Sequence, residues 1–136
     1  MLIHFPSALL PMDLACSVLG YYTGDPAFTV AAFFSMAGAV LLGTLAVITG
    51  TWDLLGVAQE KPLALQKALV HGGINTAVII AYSFLAFRAY ANYPNLVADT
   101  IALLVLKACL LTFMLAGNYL GGSLILRYRV GLRNDQ

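Results

Sequence analysis

Residues 28–50, FTVAAFFSMAGAVLLGTLAVITG, form a long apolar stretch without a single charged side chain. The hydrocarbon core of a bilayer is about 30 Å thick, so a helix rising about 1.5 Å per residue crosses it with about 20 apolar residues. The stretch is long enough for this. It therefore predicts a transmembrane helix and indicates an integral membrane protein.

The rest of the chain has the same apolar character. Its 136 residues are 61% hydrophobic and only 10% charged, with a mean hydropathy of +0.88. A soluble domain needs more polar surface than this composition supplies. Hydropathy predicts four spans, at about residues 3–22, 28–50, 65–90 and 100–126. We therefore expect one all-α domain over residues 1–136, a bundle of four transmembrane helices.

The charges predict the orientation of this bundle. Four spans put both termini on one side of the membrane, together with the connection between the second and third spans. Most basic residues are expected on that side, namely Lys61, Lys67, Arg127, Arg129 and Arg133. Only Arg88 is expected opposite, so the positive-inside rule predicts cytoplasmic termini. The net charge of +1 and the lack of a basic tract argue against a nucleic-acid partner.

The chain has only two histidines, His4 and His71, and each lies near the beginning of a predicted span. The first and third spans start on the same side, so both imidazoles are expected in one leaflet, where they can face each other. Neutral imidazole is a common axial ligand of haem iron, and an ionisable side chain in a membrane often marks a functional site. We predict that His4 and His71 ligate a non-covalently bound haem b. The alternative is a hydrated interfacial His4 and a His71 hydrogen-bonded between helices.

Four further residues are candidates for the surroundings of such a haem. Gly72 follows His71 and leaves room for a flat macrocycle. Asn75, one turn further on, either fixes the tautomer of the histidine or only bonds to it across helices. Lys67 and Arg127 are candidate partners of the haem propionates, although basic residues are common on the cytoplasmic side of any membrane protein.

Two glycines four residues apart, Gly117 and Gly121, lie in the predicted fourth span. This spacing lets helices approach each other closely in a membrane. We expect the pair to serve helix packing. The alternative is that the missing side chains leave room for a cofactor in that leaflet.

Asp13 and Lys107 are charged residues expected near mid-membrane. A lone charge at such depth costs at least about 2.5 kcal/mol, so we expect the two side chains to face the bundle interior and to pair. One interpretation is a structural ion pair that specifies helix register. The other is a proton relay or a pair that interacts with a quinol. Asp99, just before the last span, is expected to cap that helix.

Four stretches together resemble a widespread family of small four-helix bacterial membrane proteins of unknown function. They are HFPSALLPMDLACSVLG at 4–20, ITGTWDLL at 48–55, HGGINTAV at 71–78 and GGSLILRYRVGL at 121–132. The most specific parts are His-Phe-Pro with the downstream aspartate, the later histidine, and the final Gly-Gly with Arg-Tyr-Arg. Members of that family also occur joined to Rieske or cytochrome c domains. The resemblance thus implies a function associated with a respiratory or photosynthetic electron-transfer chain.

Three functions remain open at this point. The first is a haem b protein of the bacterial inner (plasma) membrane that carries electrons as a subunit or oligomer within a larger complex, with membrane redox subunits or the quinone pool as partners. The second is a structural or assembly subunit without a cofactor. The third is a small proton or ion transporter built on Asp13 and Lys107. No nucleophile with an ordered base stands out, which favours an electron carrier or accessory subunit over a stand-alone enzyme.

Overall fold

A computed structural model of the chain describes residues 4–60 and 62–128, and the side chains of 4–54 and 65–122 within them. The described residues form four helices and contain no strand, which confirms the all-α class. The helices are α1 (His4–Thr23), α2 (Pro26–Glu60), α3 (Pro62–Tyr90) and α4 (Ile101–Tyr128).

The turn between α1 and α2 follows directly from its residues. Gly24 has a φ of 70°, and its N–H donates to the carbonyl of Gly20 at 3.0 Å, which ends α1 with a left-handed glycine. Asp25 Oδ1 then accepts from the Ala27 N–H at 2.9 Å, and Pro26 occupies the first position of α2, where its missing N–H costs nothing.

Two helix boundaries differ from the sequence-based expectation. α2 continues ten residues past Gly50 to Glu60, because residues 51–60 contain no proline and several good helix formers. At the start of α4, Thr100 rather than Asp99 is the cap, since the Leu103 N–H donates to Thr100 Oγ1 at 3.4 Å. The carboxylate of Asp99 is thereby left for another partner.

The four helices form a ring in chain order. α1 packs on α2, α2 on α3 and α3 on α4, while the contact between α4 and α1 is the smallest of the four. In the described part of the chain, α1 and α3 are not adjacent and occupy opposite corners of the ring. We call the end of the bundle where α2 meets α3 the hairpin end, and the end where residues 91–100 join α3 to α4 the loop end.

All four helices contribute to the apolar core. Its buried members are Leu10, Phe33, Met36, Ala39, Val78, Tyr82 and Met114. Large apolar side chains also cover the outside, among them Phe84, Phe87 and Phe113, each at least 60% exposed. An outer surface of this kind is suited to lipid rather than to water.

Three helices contain segments long and apolar enough to cross a membrane. These are Pro26–Leu54, Leu65–Tyr90 and Ile101–Gly122. α1 is not among them, although its 20 residues give it a length of about 30 Å. The protein is thus a membrane protein in which α1, with a charged residue at its centre, packs beside three candidate spans.

Candidate functional site

Lys107 of α4 lies at the centre of a buried polar cluster near the loop end. Its Nζ is 2.7 Å from Asp13 Oδ1, 2.7 Å from Asp99 Oδ2 and 2.9 Å from Ser17 Oγ. An ammonium group has three N–H donors, so these three acceptors satisfy all of them. We refer to Asp13, Ser17, Asp99 and Lys107 as the Lys107 cluster.

Burial makes the Lys107 cluster unusual. Asp13 is completely buried and Lys107 is 3% exposed, whereas Asp99 is 22% exposed and connects the cluster to the surface. Ser17 Oγ also donates weakly to Asp13 Oδ1, at 3.4 Å. The second carboxylate oxygen of Asp13, Oδ2, is buried and has no hydrogen-bond partner in the described part of the chain. An oxygen of this kind is costly unless water or a proton reaches it.

A cavity of about 30 Å³ adjoins the Lys107 cluster on the side of the loop end. Lys107, Asp99 and Ser17 contribute its polar wall, while the rest of the lining is mainly apolar and includes Phe33 and Leu96. This volume exceeds the 10–15 Å³ or so that one water molecule requires.

His71 of α3 is held by α4. Its Nδ1 lies 2.6 Å from the backbone carbonyl oxygen of Gly117. A carbonyl oxygen only accepts hydrogen bonds, so Nδ1 carries the proton and donates, and the lone pair of the neutral ring is on Nε2. The described structure therefore fixes one tautomer of His71 and leaves Nε2 as the nitrogen able to bind a metal.

The glycines of α4 provide the space for this histidine. A Cβ at Gly121 would lie 2.6 Å from His71 Cε1, and a Cβ at Gly117 would lie 2.8 Å from Asn75 Nδ2. Asn75 Nδ2 in turn donates to the backbone oxygen of His71 at 2.9 Å. Because Gly117 and Gly121 have no side chains, His71 and Asn75 of α3 pack directly against the backbone of α4, and the two helices lie close together. Gly72, by contrast, would meet nothing within 4 Å if it carried a Cβ.

His4 and His71 lie on α1 and α3, which occupy opposite corners of the bundle. Both helices contact α4 at neighbouring residues: Ser7, three residues after His4, bonds to Asn118, and the His71 ring bonds to the carbonyl of Gly117. His4 is exposed and His71 is half-buried.

The remaining predicted residues lie around His71. Lys67 is half-buried on α3, one turn before the histidine. Arg127 is in the last turn of α4, but its side chain lies outside the described residues. Within the described residues, no group of three or more histidine, cysteine, aspartate or glutamate side chains is placed to hold a metal ion.

Several polar residues near these sites were not predicted. Ser17 is one turn after Asp13 on α1, a spacing that places the two on one side of the helix, and Asp99 lies in the connection just before α4, eight residues before Lys107. Asn118 Nδ2 donates to Ser7 Oγ at 3.0 Å and joins α4 to α1. The helical spacing was a usable signal for Ser17, whereas nothing in the local sequence pairs residues 111 positions apart.

A family model described as "Predicted membrane protein (DUF2231)" matches residues 1–134 of the chain. No curated protein and no solved structure is similar to the chain at a significant level.

Proposed function

Since the chain belongs to the DUF2231 family of predicted membrane proteins, we propose that it is an electron-carrying subunit that binds haem b through His71 and His4. The proposal places it in the bacterial inner membrane, with the hairpin end in the cytoplasm. Its electron partners would be other membrane redox subunits or the quinone pool. A bound haem would supply the one-electron chemistry, and the bundle would tune its potential by burial and hydrogen bonding.

The observation that carries the proposal is the hydrogen bond from His71 Nδ1 to the Gly117 carbonyl. Metal-bound histidines generally donate their second ring nitrogen to a carbonyl or carboxylate, which fixes the ring orientation and makes the ligating nitrogen more basic. His71 has this arrangement, with Nδ1 bonded to the carbonyl and Nε2 available to a metal. The bond also crosses between two helices, so the ring cannot turn without losing it.

His4 is the second ligand in the proposal, and its position adds a condition. Because α1 and α3 occupy opposite corners of the bundle, ligation by both histidines within one chain would require the two rings to reach each other across it. If they do not, His71 alone would hold the haem. Absorption spectra separate these states, since two imidazole ligands give a low-spin haem and one gives a high-spin haem.

Lys67 is the proposed partner of a propionate. It is half-buried and lies one turn from His71 towards the hairpin end, and a lysine stem can lie along apolar surface while its ammonium group reaches the interface. Arg127 remains a second candidate for the same role. Asn75 supports the site indirectly, by bonding to the backbone of His71 rather than to any ligand.

The alternative function is a structural or assembly subunit without a cofactor. One observation favours it: the contacts of His71 with Gly117 and Gly121 join α3 directly to α4. In that case His71 is a packing residue. Cofactor content decides between the two functions.

The test is a reduced-minus-oxidised spectrum of the full chain, purified from cells supplied with a haem precursor. We expect a b-type α band that is lost in His71→Asn, a variant whose amide nitrogen takes the place of Nδ1 and can still donate to the Gly117 carbonyl. His4→Ala should convert a low-spin spectrum to a high-spin one. Asn92→Ala, in the exposed connection after α3, is the control and should keep the band. Absence of the band from the haem-replete protein, or its survival in both histidine variants, would refute the proposal.

A further inference from the structure

The Lys107 cluster carries a charge imbalance that neither a haem nor helix packing explains. Asp13 and Asp99 contribute two carboxylates, and Lys107 contributes one ammonium. All three donors of that ammonium already have acceptors, so it remains charged and cannot compensate more than one carboxylate. One negative charge is left over at a place where the membrane and the bundle exclude most water.

An uncompensated charge at such depth is costly, and binding one proton removes it. The group able to accept that proton is Asp13, because its Oδ2 is fully buried and has no partner among the described residues. Its other oxygen, Oδ1, is held by Lys107 and Ser17. The carboxyl is thus fixed by one oxygen and available at the other.

The cavity gives water a route to the two partners of Asp13. It is large enough for water, and its polar lining residues are Ser17, Thr29, Asp99 and Lys107. Asp13 is not part of the lining, but Ser17 and Lys107 both bond to its Oδ1. Asp99 is the one charged member with a substantial exposed area, and it lies in the connection at the loop end. Water entering there therefore reaches Lys107 without crossing the apolar core.

The other groups facing the cluster do not offer a competing site. From α3, the Tyr82 hydroxyl donates to the Lys107 carbonyl at 3.4 Å and is completely buried. The side chains that α2 contributes to the cavity are non-titrating ones: Thr29, Ala32, Phe33 and Met36. The charge balance is therefore set by α1, α4 and the connection that precedes α4.

We propose that Asp13, Asp99 and Lys107 form a proton-binding site, which takes up one proton from water at the loop end through the adjoining cavity. The proton comes from the aqueous phase and bonds to Asp13 Oδ2, and the three charged groups together become neutral. No electron moves and no other bond breaks. The site is separate from the proposed haem ligands and does not depend on them.

The proposal is tested by infrared pH-difference spectroscopy of the full chain in lipid nanodiscs. A protonated carboxyl has a C=O stretching band that shifts in D2O. We expect one such band in the wild-type spectrum that is missing from Asp13→Asn. Asp53→Asn removes an exposed carboxylate of α2 and should leave this band unchanged.

A second variant keeps the test valid if Asp13→Asn does not fold. Asp99→Asn removes the surplus charge but leaves Asp13 paired with Lys107, so the band should form only at much lower pH than in the wild type. A band that is the same in all variants would overturn the proposal. So would a band that vanishes when sodium replaces choline as the cation, because the surplus charge would then be neutralised by a metal ion.

Discussion

Lys107 Nζ lies 2.7 Å from Asp13 Oδ1 and thereby joins α4 to α1. Of the four pairs of neighbouring helices, this pair has the smallest contact. The Ser7 and Asn118 hydrogen bond crosses the same boundary nearer the hairpin end. The boundary between α1 and α4 is thus bridged by polar side chains at two levels, and Lys107 provides the charged bridge.

Lys107→Met should destabilise the protein strongly. The substitution leaves two buried carboxylates without their cation, and breaking a buried pair by removing one partner costs about 3–5 kcal/mol. Arg88→Met is the matched control, because Arg88 is an exposed cation whose loss should change stability by less than about 0.5 kcal/mol. Unfolding in mixed detergent micelles measures both. Equal effects of the two substitutions would contradict the central role of Lys107.

Gly121→Ala should disturb His71, whereas Gly122→Ala should not. A Cβ at Gly121 would press on the imidazole and weaken its bond to Gly117, at a cost of about 1–3 kcal/mol for overpacking. A Cβ at Gly122 meets nothing within 4 Å, so alanine there should be neutral or stabilise the helix by up to about 1 kcal/mol. Unfolding measures the stabilities, and the b-type α band should be lost only in Gly121→Ala. Loss of the band in both variants would mean that the contact between residue 121 and His71 is not the reason for the loss.

Gly24→Ala should weaken the turn between α1 and α2. The left-handed backbone of Gly24 costs an alanine about 1–2 kcal/mol. Gly50→Ala, within α2 and with open space around its Cα, should instead be stabilising by up to about 1 kcal/mol. Thermal unfolding of the two variants should therefore shift in opposite directions, and a shift in the same direction would argue against the described turn.

A cysteine pair should report the contact between α1 and α4. In a background with Cys16→Ala and Cys109→Ala, the variant Ser7→Cys with Asn118→Cys should form a disulfide on mild oxidation, because these side chains are in contact. Ser7→Cys with Thr112→Cys, which places the second thiol on an exposed side of α4, should not. Peptide mass spectrometry identifies the linked pairs. Linkage of the control pair alone would require a different arrangement of α1.

The number and type of the helices followed from hydropathy, because a membrane allows few other structures for apolar stretches of this length. The end of α2 did not follow from hydropathy. The residues after Gly50 look like a connection when judged by their charges and tryptophan, yet nothing among them stops a helix, so α2 reaches Glu60. Hydropathy reports where lipid ends, and helical hydrogen bonding continues past that point.

The sites could be predicted only in part. The cost of a lone buried charge pointed to Asp13 and Lys107, but Asp99 was assigned as a cap, since it and Thr100 are both good capping residues and the sequence does not choose between them. The hydrogen bond between His71 and the Gly117 carbonyl depends on how α3 and α4 pack, and this is a property that no local pattern contains.

The two charges that join α1 to α4 are 94 residues apart in the chain. During synthesis the ribosome produces the aspartate first, and the lysine appears only when the last helix emerges. Until then the opening helix carries an acid without this counter-ion, and among the described helices it is the one without a segment long and apolar enough to cross a membrane. We therefore expect its insertion into the bilayer to be completed late, once α4 has been made.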